Sequence, residues 1–287
     1  MHHDLPHPAS GPATGLGWEL VLPLCVLLGC AAGYLLRVRR ARSRNPGRGW
    51  PSWRTVSFLT GLGLLAVALL PPLAQVAHTD FRGHMVQHLL VGMYAPLGLM
   101  LGAPVTLLLR TLAVARARRL TALLGSRTVR LFAHPAVALA LSTGGLAALY
   151  LTPLHRAITA APVGHWILHI HFLAAGCLFT YVVAGHDPAP RRPGGYTRLA
   201  CLAVAIAGHA VIAQMMYGGL WVRVDAPASE IQGAAEIMYY GGDVAELLLA
   251  AALVTTWRPR RPLRGTRRAG RARRALGSGL GRQVVRS

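Results

Sequence analysis

The sequence predicts an all-α protein, a polytopic membrane helix bundle of about seven transmembrane helices with its N-terminus outside and its C-terminus in the cytoplasm. The chain is 53% hydrophobic and only 14% charged, and its mean hydropathy of +0.43 is far above that of a soluble domain of 287 residues. Its apolar residues fall into runs of about 20, which is long enough to cross a bilayer as helices. Its basic residues are all arginines, and they lie in the gaps between those runs.

The first apolar run covers about residues 18–36. No basic residue precedes it, and seven arginines follow it between Arg37 and Arg54. This distribution predicts a retained membrane anchor with its N-terminus outside and argues against a cleaved secretory signal. Residues 1–16 are predicted to form a disordered extracytoplasmic tail, whose histidines would collect metal only loosely: His2, His3 and His7.

Further apolar runs lie near residues 55–77, 84–109, 132–152, 164–184, 199–220 and 234–257. With the N-terminus outside, the segments on the cytoplasmic side hold 27 of the 30 arginines. Because cytoplasmic loops of membrane proteins carry an excess of basic residues, this asymmetry predicts the orientation. Residues 17–257 are therefore expected to form one transmembrane domain.

Two further arginine-rich segments are predicted to lie at the membrane surface. The stretch from Arg119 to Arg130 predicts an interfacial helix. Residues 258–287 are rich in Arg and Gly and predict a disordered cytoplasmic tail that is attracted to anionic lipid headgroups rather than to nucleic acid. The cysteines form no CxxC pair and are interpreted as small buried apolar residues: Cys25, Cys30, Cys177 and Cys201.

The start of the third run carries acid–base side chains at four-residue spacing, Asp80, His84 and His88. That spacing places all three on one helical face at a membrane boundary, where ionisable groups are costly and indicate function. A histidine pair at i, i+4 also suits shared metal ligation. Pro96 within the same run predicts a kink, next to glycines that permit close helix packing, Gly92 and Gly98.

Other candidate ligands lie at the same, extracytoplasmic end of later helices. His165 and His169 repeat the i, i+4 spacing at the start of the fifth run, and His209 in the sixth run arrives at a similar depth. We expect these four-residue pairs and His209 to converge around one outward-opening cavity that Glu236 and Asp243 also face. The predicted metal ligands are His84, His88, His165, His169, His209, Asp80, His171, Glu236, Asp243 and Met215.

The mixture of imidazole, thioether and carboxylate groups indicates a transition-metal site, and copper suits it best. Zinc is a weaker alternative, because the chain has no HExxH helix and no cysteine cluster. For the methionines, ordinary packing in an apolar helix is the commoner role.

Three segments combine His, Gly and Pro at fixed offsets with apolar residues. They are HMVQHLLVGMYAPLGLMLGAPVTLLLR at 84–110, HPAVALALSTGGLAALYLTPL at 134–154, and HWILHIHFLAAGCLF followed by GHDP between 165 and 188. These segments resemble the CtaG-type (caa3-type) cytochrome c oxidase assembly proteins of bacteria, and the resemblance implies a location in the bacterial plasma membrane. The seventh helix, IQGAAEIMYYGGDVAE, departs from the pattern of that family, with Ala235 and Glu236 in place of paired glycines and Asp243 where a Glu would follow. The resemblance implies a seven-span membrane protein that helps to make active haem–copper oxidase by handling copper on the outer face.

We therefore expect a non-enzymatic assembly factor, a metal chaperone without catalytic residues, which binds copper and passes it to a cytochrome c oxidase subunit. A haem b redox protein is an alternative, since His88 could oppose His169 or His209 as an axial ligand. A metal or proton transporter is a further alternative, but the acids and histidines become sparse in the cytoplasmic half.

Overall fold

The structure is a computed structural model that describes residues 17–44, 46–188 and 193–257. Every regular element within these residues is a helix. The main helices, in chain order, are α1 (Trp18–Arg44), α2 (Ser52–Leu69), α3 (Phe81–Thr111), α4 (Pro135–Leu151), α5 (Pro162–Ala184), α6 (Gly195–Tyr217) and α7 (Ala228–Thr255). All but α4 are long and apolar enough to cross a membrane, and α4 is a shorter apolar helix. The predicted all-α membrane architecture is confirmed.

Helix α3 lies at the centre of the bundle, where it packs on α2, α5 and α7 and meets α1 at its end. It contains a π-helical turn at Leu90–Tyr94. Pro96 accounts for this turn, because proline lacks the N–H that would bond the carbonyl of Gly92 and its ring crowds that carbonyl. The helix breaks again at Ala103, which has a φ of 50°, before the final segment Pro104–Thr111.

Small residues allow the neighbours of α3 to approach closely. A Cβ added at Gly98 would lie 2.8 Å from Cα of Gly61 on α2, and one added at Gly176 on α5 would overlap the carbonyl oxygen of Gly92. The hydroxyl of Ser57 also donates to the carbonyl of Gly98 at 2.8 Å. Close backbone contact of this kind holds helices together in lipid, and the predicted packing role of Gly98 is confirmed. At Gly92 the close approach depends on Gly176, because a Cβ on Gly92 itself would make only ordinary contacts.

Helix α2 ends earlier than the apolar run at 55–77 suggests. It stops at Leu69, because Pro71 and Pro72 follow and proline cannot continue a helix. Residues Leu73–Thr79 then form a separate short helix that packs against the start of α3. This break carries His78 to the end of the bundle where α3 begins.

Helix α4 lies within the predicted run at 132–152 and contains a second π-helical turn, Ala140–Gly144. Its first half packs against α5 and α6. The interfacial helix predicted before it is found as two short helices, Val114–Leu124 and Arg127–Phe132. Their location at the membrane surface stays a prediction.

One end of the bundle is held by arginine and aspartate side chains. Arg37 on α1 donates to the hydroxyl of Thr111 at 3.1 Å, and Arg44 donates to the carbonyl oxygen of Thr111 at 2.8 Å. Asp187, just after α5, accepts the backbone N–H and the hydroxyl of Thr106 at 2.6 Å each, and so caps the last segment of α3. The ends of α1, α3 and α5 therefore meet at this arginine end. Which side of the membrane it faces stays a prediction.

Helix α1 lies at the edge of the bundle, covered by α2 and by the end of α3. As a result Cys25 and Cys30 are exposed, which corrects the expectation that they are buried. All four cysteines are free thiols, as the absence of a CxxC pair predicts. The predicted tails, residues 1–16 and 258–287, lie outside the described residues.

Candidate functional site

A group of imidazoles gathers at the end of the bundle opposite the arginine end. His84 lies in the first turns of α3, His165 opens α5, and His155 belongs to a short helix, Leu154–Thr159, that follows α4. Together with His78 they line one open cleft of about 370 Å³. We call this space the His155 cleft.

The imidazoles of the His155 cleft stand in two edge-on pairs. The ring centroids of His78 and His165 are 5.0 Å apart, and those of His84 and His155 are 5.4 Å apart. Nε2 of His84 lies 3.2 Å from the hydroxyl of Tyr150, a fully buried side chain of α4. Rings at these separations are in contact, so each pair presents its two imidazoles to the same cleft.

The electrostatics of the cleft keep His155 neutral. Burial lowers the pKa of His155 from its usual 6.5, the neighbouring His165 lowers it further, and the carboxylate of Asp225 acts in the opposite direction. The net shift is downward, so this imidazole carries no proton charge at neutral pH. A neutral imidazole keeps the lone pair that a metal ion needs.

The carboxylates at the rim of the cleft already have structural partners. Asp80 caps α3 by accepting a backbone N–H two residues ahead at 2.8 Å. Glu230 accepts the backbone N–H of Phe81 at 3.0 Å, and Asp225 pairs with Arg156, which lowers the pKa of Asp225. The imidazoles are therefore the donors that the cleft offers to a ligand.

A second cleft adjoins the first. His78 and His165 also line this neighbouring space of about 660 Å³, together with Gln87 and His169. Nδ1 of His169 is buried and has no hydrogen-bond partner among the described residues. We call this space the His169 cleft, and His165 belongs to both.

A third, smaller space lies inside the bundle. His88 on α3, His209 on α6 and Glu246 on α7 line a cavity of about 60 Å³, which we call the His209 cavity. Nδ1 of His209 is 3.7 Å from Oε1 of Glu246. The side chain of Tyr150 contacts a histidine of each space. Its ring meets His88 of this cavity edge-on, with the ring centroids 6.3 Å apart, and its hydroxyl lies 3.2 Å from Nε2 of His84 in the His155 cleft.

Comparison with known families identifies the chain. The family model of the cytochrome c oxidase caa3 assembly factor (Caa3_CtaG) matches residues 32–260. The chain belongs to this family. It is a multi-pass bacterial membrane protein, and the resemblance carried by its histidine-containing segments is confirmed.

Relatives of this chain are found in mycobacteria. Uncharacterized proteins of Mycobacterium bovis, Mycobacterium tuberculosis and Mycobacterium leprae are each 34% identical over 222 residues, which cover 73% of this chain. The same residues are 33% of each relative, so the chain spans about a third of the length of the curated relatives it matches. No solved structure matches the chain.

The predicted histidine ligands do not converge on one point. No group of three or more His, Cys, Asp or Glu side chains in the part of the chain that the structure describes is placed to hold one metal ion. The expectation of a single shared site is therefore wrong. Two histidines at i, i+4 share a helical face but lie about 6 Å apart along the axis. His84 lines the His155 cleft, whereas His88 and His209 line the inner cavity. His165 and His169 share the His169 cleft, and only His165 also reaches the His155 cleft.

Other predicted ligands also lie elsewhere. Glu236 is exposed in a groove on the surface of α6 and α7, because the buried face of α7 runs through Ala235, about 100° away around the helix. The prediction that Glu236 faces the histidines is wrong. Asp243 and Met215 are half-buried and are not among the residues that line the clefts or the cavity. His171 packs against α4, where a Cβ added at Gly145 would lie 2.7 Å from its Nε2.

Three residues of these spaces were missing from the predicted set. His78 and His155 belong to short helices between the long ones, so no helical periodicity connects them with the other histidines. Glu246 follows Gly242 by one turn of α7, and a Cβ at Gly242 would overlap the ring of His209. In the sequence, the paired glycines Gly241 and Gly242 indicate that another helix approaches α7 closely one turn before Glu246.

Proposed function

We propose that this assembly factor binds copper in the His155 cleft and delivers it to a subunit of cytochrome c oxidase. The observation that carries the proposal is the meeting of four imidazoles, from four separate segments of the chain, in one open cleft. No covalent chemistry is required of the protein, which acts as a chaperone for the ion. Membership of an oxidase assembly family supplies the client.

The donor set favours copper over other ions. Calcium and magnesium need oxygen ligands, and the rim carboxylates of this cleft already cap α3 or pair with arginine. Zinc prefers four ligands in a tetrahedral arrangement, whereas the rings here stand in pairs. Imidazole suits copper, and cuprous ion is stable with few ligands.

The arrangement also suits release. The cleft is open, and its two imidazole pairs lie side by side, so an ion can exchange one pair for the other without leaving the protein. A partner that offers additional ligands at the mouth can then take the ion stepwise. With the predicted orientation, the mouth faces the extracytoplasmic side.

The haem alternative finds less support in the geometry. The space between His88 and His209 is about 60 Å³, whereas cavities for cofactor-sized ligands are about 300–1,000 Å³. A transporter would need ionisable groups along a path through the whole bundle. The imidazoles of the three spaces instead lie toward one end of it.

We also propose that the arginine-rich tail, residues 258–287, binds anionic lipid headgroups. Its eleven arginines lie next to the end of the last membrane span, and basic clusters in that position are attracted to acidic lipids. This contact would anchor the tail at the membrane and needs no sequence-specific partner.

Titration of the purified protein with Cu(I) against a chromophoric competing chelator tests the copper proposal. The N-terminal tail histidines are replaced by alanine in every sample, so that the tail contributes no binding. We expect the double variant His155→Ala/His165→Ala, which removes one ring from each pair, to lose binding at this cleft and to lower the copper content of the oxidase in cells.

The matched control is His134→Ala, which removes an exposed histidine at the arginine end. This variant should bind copper as the parent does. Copper binding and oxidase copper content that remain at parental values in the double variant would refute the proposed role of the cleft.

A further inference from the structure

A groove opens on the side of the bundle at the arginine end, between the first turns of α4 and α6 and the last turns of α5. Its volume of about 790 Å³ lies within the range of about 300–1,000 Å³ that is typical of ligand sites. Two arginines, Arg127 and Arg130, line it from the short helix that leads into α4. Most of the other lining residues are apolar. We call this space the Arg130 groove.

The two arginines present uncompensated charge to the groove. They lie three residues apart on the helix Arg127–Phe132, a spacing that places both on one helical face. Both side chains are exposed, and neither guanidinium makes a hydrogen bond or ion pair with another described residue. No Asp or Glu is found among the described residues that line the groove. His134 lies at the same end, but its Nδ1 already caps α4 by accepting the backbone N–H of Ala136 at 3.3 Å.

The apolar part of the groove extends to the depth of the lipid acyl chains. Val204 lines it and follows the start of α6 at Gly195 by nine residues, which is about 14 Å along the helix axis. That distance is nearly half of the hydrocarbon thickness of about 30 Å. Val204 is 55% exposed and Ala200 is also exposed, so this floor is open to the bilayer. Cations at the membrane boundary with an apolar furrow below them match the polarity of a phospholipid.

We propose that the Arg130 groove binds one anionic glycerophospholipid, with its headgroup phosphate on Arg127 and Arg130 and an acyl chain along the apolar floor. Guanidinium groups recognise phosphate through paired N–H donors. Basic pockets between membrane helices bind anionic lipid headgroups in this way. The site goes beyond the proposed copper function and is separate from the lipid contact of the tail, since neither the histidine end nor residues 258–287 contribute to it.

Other occupants fit the groove less well. The tail at 258–287 carries eleven arginines, and a second copy of the chain has a net charge of +21, so the two arginines of the groove would repel both. A free phosphate would pair with the arginines but would leave the apolar floor uncovered. A lipid satisfies both parts of the groove at once.

The test is a titration of the full-length protein in neutral detergent with phosphatidylglycerol, and phosphatidylcholine is the comparison lipid because its headgroup has no net charge. Native mass spectrometry counts the bound lipids and gives their affinity, and the thermal unfolding midpoint reports stabilisation. We expect phosphatidylglycerol to raise the midpoint more than phosphatidylcholine does, because a ligand that binds the folded state stabilises it. Equal binding and equal stabilisation by the two lipids would overturn the proposal.

The double variant Arg127→Gln/Arg130→Gln should weaken phosphatidylglycerol binding about thirty-fold, which corresponds to about 1 kcal/mol for each arginine. The matched control is Arg116→Gln/Arg119→Gln. It removes two exposed arginines at the same spacing from the preceding helix, Val114–Leu124, and neither of them lines the groove. The control should bind as the parent does. Equal losses in the two double variants would overturn the groove in favour of a general attraction between arginines and acidic micelles.

A second pair of variants tests the apolar floor. Ala200→Phe fills the groove from α6 and leaves both arginines in place, so it should weaken phosphatidylglycerol binding. Ala203→Phe, at an exposed position of α6 outside the groove, should bind as the parent does. Both positions are exposed, so the midpoint without lipid should stay at the parental value in each variant.

Inorganic phosphate separates a lipid site from a site for a soluble anion. We expect millimolar phosphate to leave the unfolding midpoint and the bound lipid unchanged. Phosphate that stabilises the parent as much as phosphatidylglycerol does, or lipid binding that is unchanged in Ala200→Phe, would overturn the lipid assignment.

Discussion

Tyr150 decides how His84 can act as a ligand. Its hydroxyl lies 3.2 Å from Nε2 of His84. If Nε2 donates its proton to this hydroxyl, Nδ1 becomes the metal-binding atom, which is the way an outer hydrogen bond selects the tautomer of a ligating histidine. The ring is then held in one orientation toward the His155 cleft.

Tyr150→Phe should therefore weaken Cu(I) binding at the cleft by about ten-fold or more, the usual effect of removing a partner of a metal ligand. The change leaves the ring and its packing in place. The measurement is Cu(I) affinity by chelator competition, with Tyr217→Phe, an exposed tyrosine of α6, as the control. Equal affinities in the parent and both variants would show that the hydroxyl has no part in binding.

His155 provides a test of the electrostatics that does not involve metal. Its pKa is lowered by burial and by His165, while Asp225 raises it. Asp225→Asn removes the one favourable charge and leaves Arg156 unpaired nearby, so the pKa of His155 should fall further. A histidine titration followed by nuclear magnetic resonance measures this directly. A pKa that stays constant or rises in the variant would contradict the assignment.

Among the helices, α3 is the central one, because it packs on α2, α5 and α7. Its π-helical turn at Leu90–Tyr94 packs against α5, where Gly176 lies next to the carbonyl of Gly92. Pro96 frees the carbonyl of Gly92 from its helical bond, and the carbonyl then lies against α5. The same π-helical turn forms part of one wall of the His209 cavity, through Gly92 and Met93.

Gly176→Ala should destabilise the protein by about 1–3 kcal/mol, because the new methyl group would meet backbone, which cannot move aside as a side chain can. The thermal unfolding midpoint in detergent measures the effect. Gly63→Ala is the control, since nothing lies within 4 Å of a Cβ at that position. Equal midpoints in the two variants would mean that α3 and α5 can separate without cost.

At the scale of the whole molecule, the two ends of the bundle differ in chemistry. One end gathers imidazoles from the starts of α3 and α5 and from two short helices. The other is held by arginines and by Asp187. Because α3 and α5 run in the same direction, their first residues lie at the histidine end and their last residues lie at the arginine end. The arginine counts predict that the histidine end faces the extracytoplasmic side.

Reporter fusions test this orientation. A fluorescent protein fused after Trp257 should fold and fluoresce, because that position is predicted to be cytoplasmic, and alkaline phosphatase inserted between α2 and α3 should be active. The reverse pattern, an active phosphatase after Trp257, would invert the topology and place the His155 cleft inside the cell.

The sequence by itself determined the all-α membrane class, the approximate positions of the helices, the packing role of Gly98 and the family. These features depend on hydropathy, on local backbone chemistry and on motifs that are contiguous in the chain. The sequence also pointed to His84 and His165, because they lie at helix starts next to an apolar run.

Only the tertiary structure decided which side chains share a space. It divided His84 from His88 between the His155 cleft and the inner cavity, brought in His78 and His155 from short helices, and put Glu246 rather than Glu236 beside His209. Periodicity fixes the relative angle of two residues on one helix, but not the rotation of that helix against its neighbours. That rotation is set by contacts such as the one between Gly242 and His209, which join residues far apart in the chain.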